Sequence, residues 1–226
     1  NFLIKENVVT VNKSSVLHKG SVGGVDIEKF RFNKKIRDKL RDKYMISNNT
    51  FVFLYLGRIN EDKGIVELIK AFDYIKKNKN ILLILVGSIE DNKLAHLFKK
   101  RNKILYFNFT KKPEDWFSLA DTLCLPSHRE GFGTVVIEAA SCGIPTLCSK
   151  IYGLQDTIID HKTGFFHKVS SINDIKSKML YIIKNKKLVK KCGSLAKIKV
   201  KRDFEQNLIT KKFLKFLKPN LNYNEY

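Results

Sequence analysis

Residues 122–148 constrain the fold of this chain more than any other stretch. Thr122-Leu123-Cys124-Leu125-Pro126-Ser127 is a short apolar run closed by a proline, as expected of a buried strand. Glu130-Gly131-Phe132-Gly133 follows as a glycine-rich loop. Residues 134–142 continue as an apolar, small-residue helix that stops at Gly143. Ile144-Pro145-Thr146-Leu147-Cys148 is the next buried strand. Strand, glycine loop, helix, glycine stop and strand make a βαβ unit of a parallel sheet.

The alternation extends in both directions. Strands are predicted at 51–56, 81–86 and 103–107, and helices at 34–44, 61–77, 91–100 and 113–119. Run 81–86 is apolar at every position, as in a sheet covered on both faces. Helices are also predicted at 172–186, 188–200 and 204–217, with a frayed polar end from Pro219 to Tyr226. Near the start, residues 8–11 and 16–20 are short β-prone runs. The expected fold class is α/β: a Rossmann-like parallel sheet with helices on both faces.

In such sheets ligands bind at the carboxyl ends of the strands, where Glu130 to Gly133 would lie. Gly131 and Gly133 permit tight turns and close approach of backbone to a ligand. A helix opening after Gly133 offers unpaired N–H groups, from Thr134 and Val135, to an anion such as a diphosphate. Glu138, about one turn further in, can reach hydroxyls beside that anion. Glu130 can reach hydroxyls on its other side. Hydroxyl readers flanking a phosphate cradle describe a nucleotide-sugar site.

Composition narrows the classes. The 226 residues are 43% hydrophobic, enough for a large core. No apolar run approaches the roughly 18 residues of a membrane span, and the start, Asn1 to Glu6, turns polar at once, unlike a secretory signal. The chain does not begin with Met and is read as a piece of a longer one. Cys124, Cys142, Cys148 and Cys192 form no C-x-x-C pair and read as buried thiols in a reducing cytosol. The formal net charge of +21 fits a surface facing anionic lipid, or a lysine-rich composition without a partner. No recognition-helix, zinc-finger or single-strand-binding signature accompanies it, so nucleic acid is not the expected partner.

The Glu130-to-Glu138 segment, with carboxylates eight residues apart, resembles the E-x7-E motif of the retaining "group 1" glycosyltransferases with the GT-B fold. Gly57-Arg58, followed by Lys63-Gly64, is similar to that family's G-R-x-x-x-x-K-G block. Gly24-Val25-Asp26 with Phe30 resembles the start of its donor domain, and Thr163-Gly164-Phe165-Phe166 resembles its T-G-x-L/F strand. The resemblance runs in order over residues 20 to 190. Ser127–Gly133 and Lys150–Asp156 are most similar to transferases that build bacterial capsule, exopolysaccharide or lipopolysaccharide.

The resemblance implies the C-terminal, donor-binding half of a GT-B enzyme: residues 1–22 a remnant of the first domain or linker, 23–202 the nucleotide-sugar domain, and 203–226 a terminal helix and tail. It implies transfer of a hexosyl unit, with retention, from a nucleoside-diphosphate sugar to a lipid-linked or saccharide acceptor. UDP is expected from family frequency. Arg58 and Lys63 would clamp the diphosphate, Glu130 would contact the donor sugar, and Glu138 would hold the ribose. Gly57, Gly87, Thr110, Gly131, Phe132, Gly133, Thr134 and Val135 complete the expected donor site. Phe132 is read as shaping the loop, and Thr110 as lying near the nucleobase. Asn108 departs from the family's usual glycine, and His128 is read as structural or exposed. The catalytic set is Glu130, Arg58 and Lys63, without a glycosyl–enzyme intermediate. No metal and no cofactor are implied, and the location implied is cytoplasmic, peripheral on the inner face of the membrane. Two other readings are a donor-binding module that needs a partner chain and a GT-B sugar-nucleotide epimerase.

Overall fold

A computed structural model describes residues 2–217, apart from 22, 79 and 100. The predicted frayed end, 219–226, lies outside the described residues. The helices are α1 (Phe2–Lys5), α2 (Lys34–Lys43), α3 (Ile65–Ile75), α4 (Pro113–Leu119), α5 (Thr134–Ser141), α6 (Ile172–Lys184), α7 (Lys186–Asp203) and α8 (Gln206–Leu217). The strands are β1 (Phe51–Leu56), β2 (Ile81–Val86), β3 (Ile104–Phe107), β4 (Thr122–Leu125), β5 (Thr146–Ser149) and β6 (Gly164–His167). They form one sheet in the order β3-β2-β1-β4-β5-β6, with every pair parallel. This is the doubly wound Rossmann-like order, whose connections reverse direction between β1 and β4.

Strand periodicity divides the core into two layers. Phe51, Phe53 and Tyr55 face one side with Leu83 and Leu85, and pack on α3 and α6 through Leu68, Phe72, Met179 and Ile182. Val52 and Leu54 face the other side with Ile84 and Val86, and meet Phe117, Ile137, Ala140 and Val200. Each such buried side chain contributes about 1.5–3 kcal/mol relative to exposure. At the amino edge of the sheet, Asp121 ties α2 down. Its carboxylate accepts from Arg37 at 2.7 Å, from Arg41 at 3.1 Å and from the Val52 amide at 2.8 Å. Among the described residues no helix is long and apolar enough to cross a membrane.

Four expectations are corrected. Residues 8–11 and 16–20 form no strand: the chain turns at Asn7 and His18, both at positive φ, and makes a 3-10 turn at Val11–Lys13. A β-prone run without a partner strand has no ladder to join. Segment 61–77 is not one helix. It begins as a 3-10 turn at Glu61–Lys63, breaks at Gly64 with φ 66, and only then enters α3. A side chain at Gly64 would collide with the Pro126 carbonyl, so the break is where the two ligand-edge loops meet. Segment 91–100 is a 3-10 helix over Asn92–Leu97 rather than an α-helix. The terminal helix starts at Gln206, because the backbones of Phe204 and Gln206 bond to Val25 instead.

Candidate functional site

The carboxyl ends of β1 and β4 open the crevice that this strand order creates. β1 delivers Gly57 and Arg58, while β4 delivers Pro126, Ser127 and the loop to Gly133. The two loops are joined directly. The His128 amide donates to the Asp62 carbonyl at 2.8 Å, and the imidazole Nε2 lies 3.0 Å from Glu67 Oε1. Arg129 pairs with Asp62. The break at Gly64 takes Lys63 off the helix and turns it into the site.

There Lys63 Nζ donates to Glu130 Oε1 at 2.7 Å, and Ser127 Oγ donates to the same oxygen at 2.8 Å. The lysine and glutamate side chains are only 17% and 15% exposed, and Ser127 is fully buried. Arg58, also a predicted clamp, is not in this cluster. It is 63% exposed and pairs with Glu90 at 3.0 Å, while Asn60 donates to the same carboxylate at 2.7 Å. The hydrogen bond from Asn60, then that from Arg58, holds the Glu90 carboxyl below the usual range. The buried Tyr55 hydroxyl donates to the Arg58 carbonyl and fixes the turn after β1.

Gly133 opens α5 in the left-handed conformation, φ 67, where a side chain would strike Leu154. Thr134 and Val135 are then the first helical residues, and their amides point out of the helix end by its geometry. Glu138 lies one turn on and is half-buried. Burial pushes its carboxyl above the ordinary value. Lys29 opposes that rise, and Glu114 adds to it. Gly131 lies exposed on the loop. Phe132 packs edge-on against Phe204 with centroids 5.5 Å apart, as a loop-shaping residue does. Gly87 is at the same sheet edge, where the Gly57 carbonyl fills the space a side chain would need. Thr110 is on the loop before α4, its hydroxyl accepting from the Lys112 amide at 3.0 Å.

Three residues had no assigned role in the sequence. Glu90 holds Arg58, Ser127 holds Glu130, and Gly153 packs so closely that the Glu130 carbonyl occupies its side-chain position. Ser127 and Gly153 stand inside motif stretches, which was the signal available for them. Nothing local marked Glu90. Beside Glu130 lies a cleft of about 800 Å³, walled by His128, Arg129, Gly131 and Tyr152 on one side and by Val9, Val11 and Val16 on the other. All four cysteines are buried free thiols.

The sequence model described as "Glycosyl transferases group 1" matches residues 36–199. The capsular polysaccharide biosynthesis glycosyltransferase CapM of Staphylococcus aureus is 32% identical over 214 residues, covering 92% of this chain and 56% of CapM. A glycosyltransferase structure from Rickettsia africae superposes with a TM-score of 0.86 at 23% identity, covering 98% of this chain and 61% of that one. The Anabaena protein HepE, solved with UDP and glucose, gives a TM-score of 0.78 at 21% identity, covering 87% and 55%. The chain spans about half the length of the curated relatives it matches. With the strand order, the sequence blocks and the family match in agreement, this chain belongs to the glycosyl transferases group 1 family and forms the Rossmann-like half of a GT-B fold that carries the E-x7-E segment.

Proposed function

We propose that this chain is the donor-binding half of a retaining glycosyltransferase that moves a hexosyl unit from a nucleoside-diphosphate sugar, with UDP as the nucleotide, to a lipid-linked or saccharide acceptor in bacterial surface-polysaccharide synthesis. The observation that carries the reading is the Lys63–Glu130 pair at the β1/β4 crevice, beside the amino end of α5. The names of CapM and of the UDP complex of HepE support the same class.

The departing diphosphate is stabilised by the cations of Lys63 and Arg58 and by the Thr134 and Val135 amides, which the helix holds in place. Glu130 orients the donor sugar, and Glu138 holds the ribose hydroxyls. Thr110 lies toward the base. The acceptor oxygen attacks from the face the diphosphate leaves, without a glycosyl–enzyme intermediate and without a metal or other cofactor. The acceptor is bound by the rest of the protein, so this chain alone binds donor without efficient turnover. The +21 charge supports a peripheral position on the anionic inner face of the cytoplasmic membrane.

Calorimetric titration with UDP and GDP, in EDTA, tests the reading. Saturable UDP binding is expected, weakened about tenfold or more in Glu138→Ala and in Arg58→Ala, each of which removes a charged hydrogen-bonding group. UDP binding that is indifferent to both substitutions sinks it.

A further inference from the structure

We propose that Glu130 is an internal competitor of the diphosphate for Lys63, so that the site favours a sugar-bearing nucleotide over the nucleoside diphosphate left after transfer. The inference rests on the donor-site reading above. Glu130 Oε1 already accepts from the Lys63 ammonium at 2.7 Å and from Ser127 at 2.8 Å. With side chains 17% and 15% exposed, the pair is poorly screened and stronger than a surface ion pair. Any anion that draws on the ammonium must therefore compete with a carboxylate for its charge.

Both backbones are pinned, so the exchange falls to the side chains. The Lys63 amide is capped by Asn60 Oδ1 at 3.1 Å and is followed by the left-handed Gly64. The Glu130 carbonyl packs on Gly153. Lys63 has a flexible stem and can swing its point charge to a phosphate. Glu130 remains tethered by Ser127, which makes Ser127 a positioning residue for the released carboxylate. That carboxylate is then half-buried with one hydroxyl donor, an unfavourable state unless another donor reaches it. The sugar of the donor supplies such hydroxyls, and a bare nucleoside diphosphate does not. Once the sugar has gone, Glu130 recaptures Lys63 and weakens retention of the nucleotide. Arg58 cannot act in this way. Its partner Glu90 is 39% exposed, Arg58 itself is 63% exposed, and water screens their exchange.

The test is calorimetric titration of this chain with UDP and, independently of the base, with inorganic pyrophosphate. Glu130→Gln keeps the side-chain volume and a carbonyl acceptor, but removes the counter-ion of the ammonium. UDP and pyrophosphate are expected to bind about three- to tenfold tighter to this variant, the size of one poorly screened ion pair. In a Lys63→Met background, or Lys63→Gln if Met disturbs the melting transition, the same change should alter affinity less than about twofold. Equal or weaker binding by Glu130→Gln, with wild-type binding intact, overturns the inference and leaves the donor site standing. Equal tightening with Lys63 removed also overturns it, because the carboxylate then acts through its general field and not through the pair. Binding of neither probe by wild type or variant sinks the donor-site reading as well.

Discussion

Glu138 shows how a single residue of this site trades stability for binding. Burial raises its carboxyl pKa. A carboxyl with a raised folded value contributes stability below its unfolded value, and that contribution is lost as pH rises through the folded value. At neutral pH the residue is therefore a burden on the fold. Glu138→Gln is expected to melt higher than wild type at pH 7, with the advantage shrinking below the ordinary glutamate value, while nucleotide affinity falls. Melting curves over pH check this, and a variant that melts lower at pH 7 contradicts it. The roles expected of Glu130, Lys63 and Glu138 came from the family resemblance of their motifs, and the structure brings Lys63 and Glu130 into contact. Their pairing was not legible, because a charge in a sequence does not carry the identity of its partner. The same holds for Arg58, which lies on Glu90.

At the scale of elements, periodicity reads well where a segment is covered by its neighbours. Strands β1 and β2 and helices α2 and α4 match their patterns because their apolar positions already specify a buried face. The pattern failed at 61–77, where the apolar stripe begins only after Gly64, a left-handed residue with no room for a side chain beside the Pro126 carbonyl. It failed at 8–11 and 16–20, where β propensity had no sheet edge to satisfy it. The Asp121 clasp belongs to this scale too, since it anchors a whole helix. Arg41 is 1% exposed and donates to Asp121, to Leu119 and to the carbonyls of Ser47 and Thr50. Asp121→Ala leaves that guanidinium buried without a counter-ion and should cost about 3–5 kcal/mol in urea unfolding. A loss below about 1 kcal/mol would mean that the carbonyls alone satisfy it.

The whole chain carries a net charge of +21, and the last helix of the described residues exposes Phe213 and Leu214 between Lys211 and Lys215. If that charge serves a membrane surface, the chain should sediment with phosphatidylglycerol vesicles, not with phosphatidylcholine ones, and should come off at about 1 M salt, where the Debye length is near 3 Å. Failure to sediment at low salt would leave the lysines as composition. The sequence by itself determined the alternation of strands and helices, the parallel sheet and the stretch that forms the ligand edge. These depend on local periodicity and on glycines within short windows. Only the tertiary structure decided which charges meet. Lys63 reaches Glu130 across 67 residues because the strand order turns back between β1 and β4. Phe132 packs on Phe204 because the chain returns past the same loop after α7. Such contacts are set by where backbones converge in space, which no window of neighbouring residues contains.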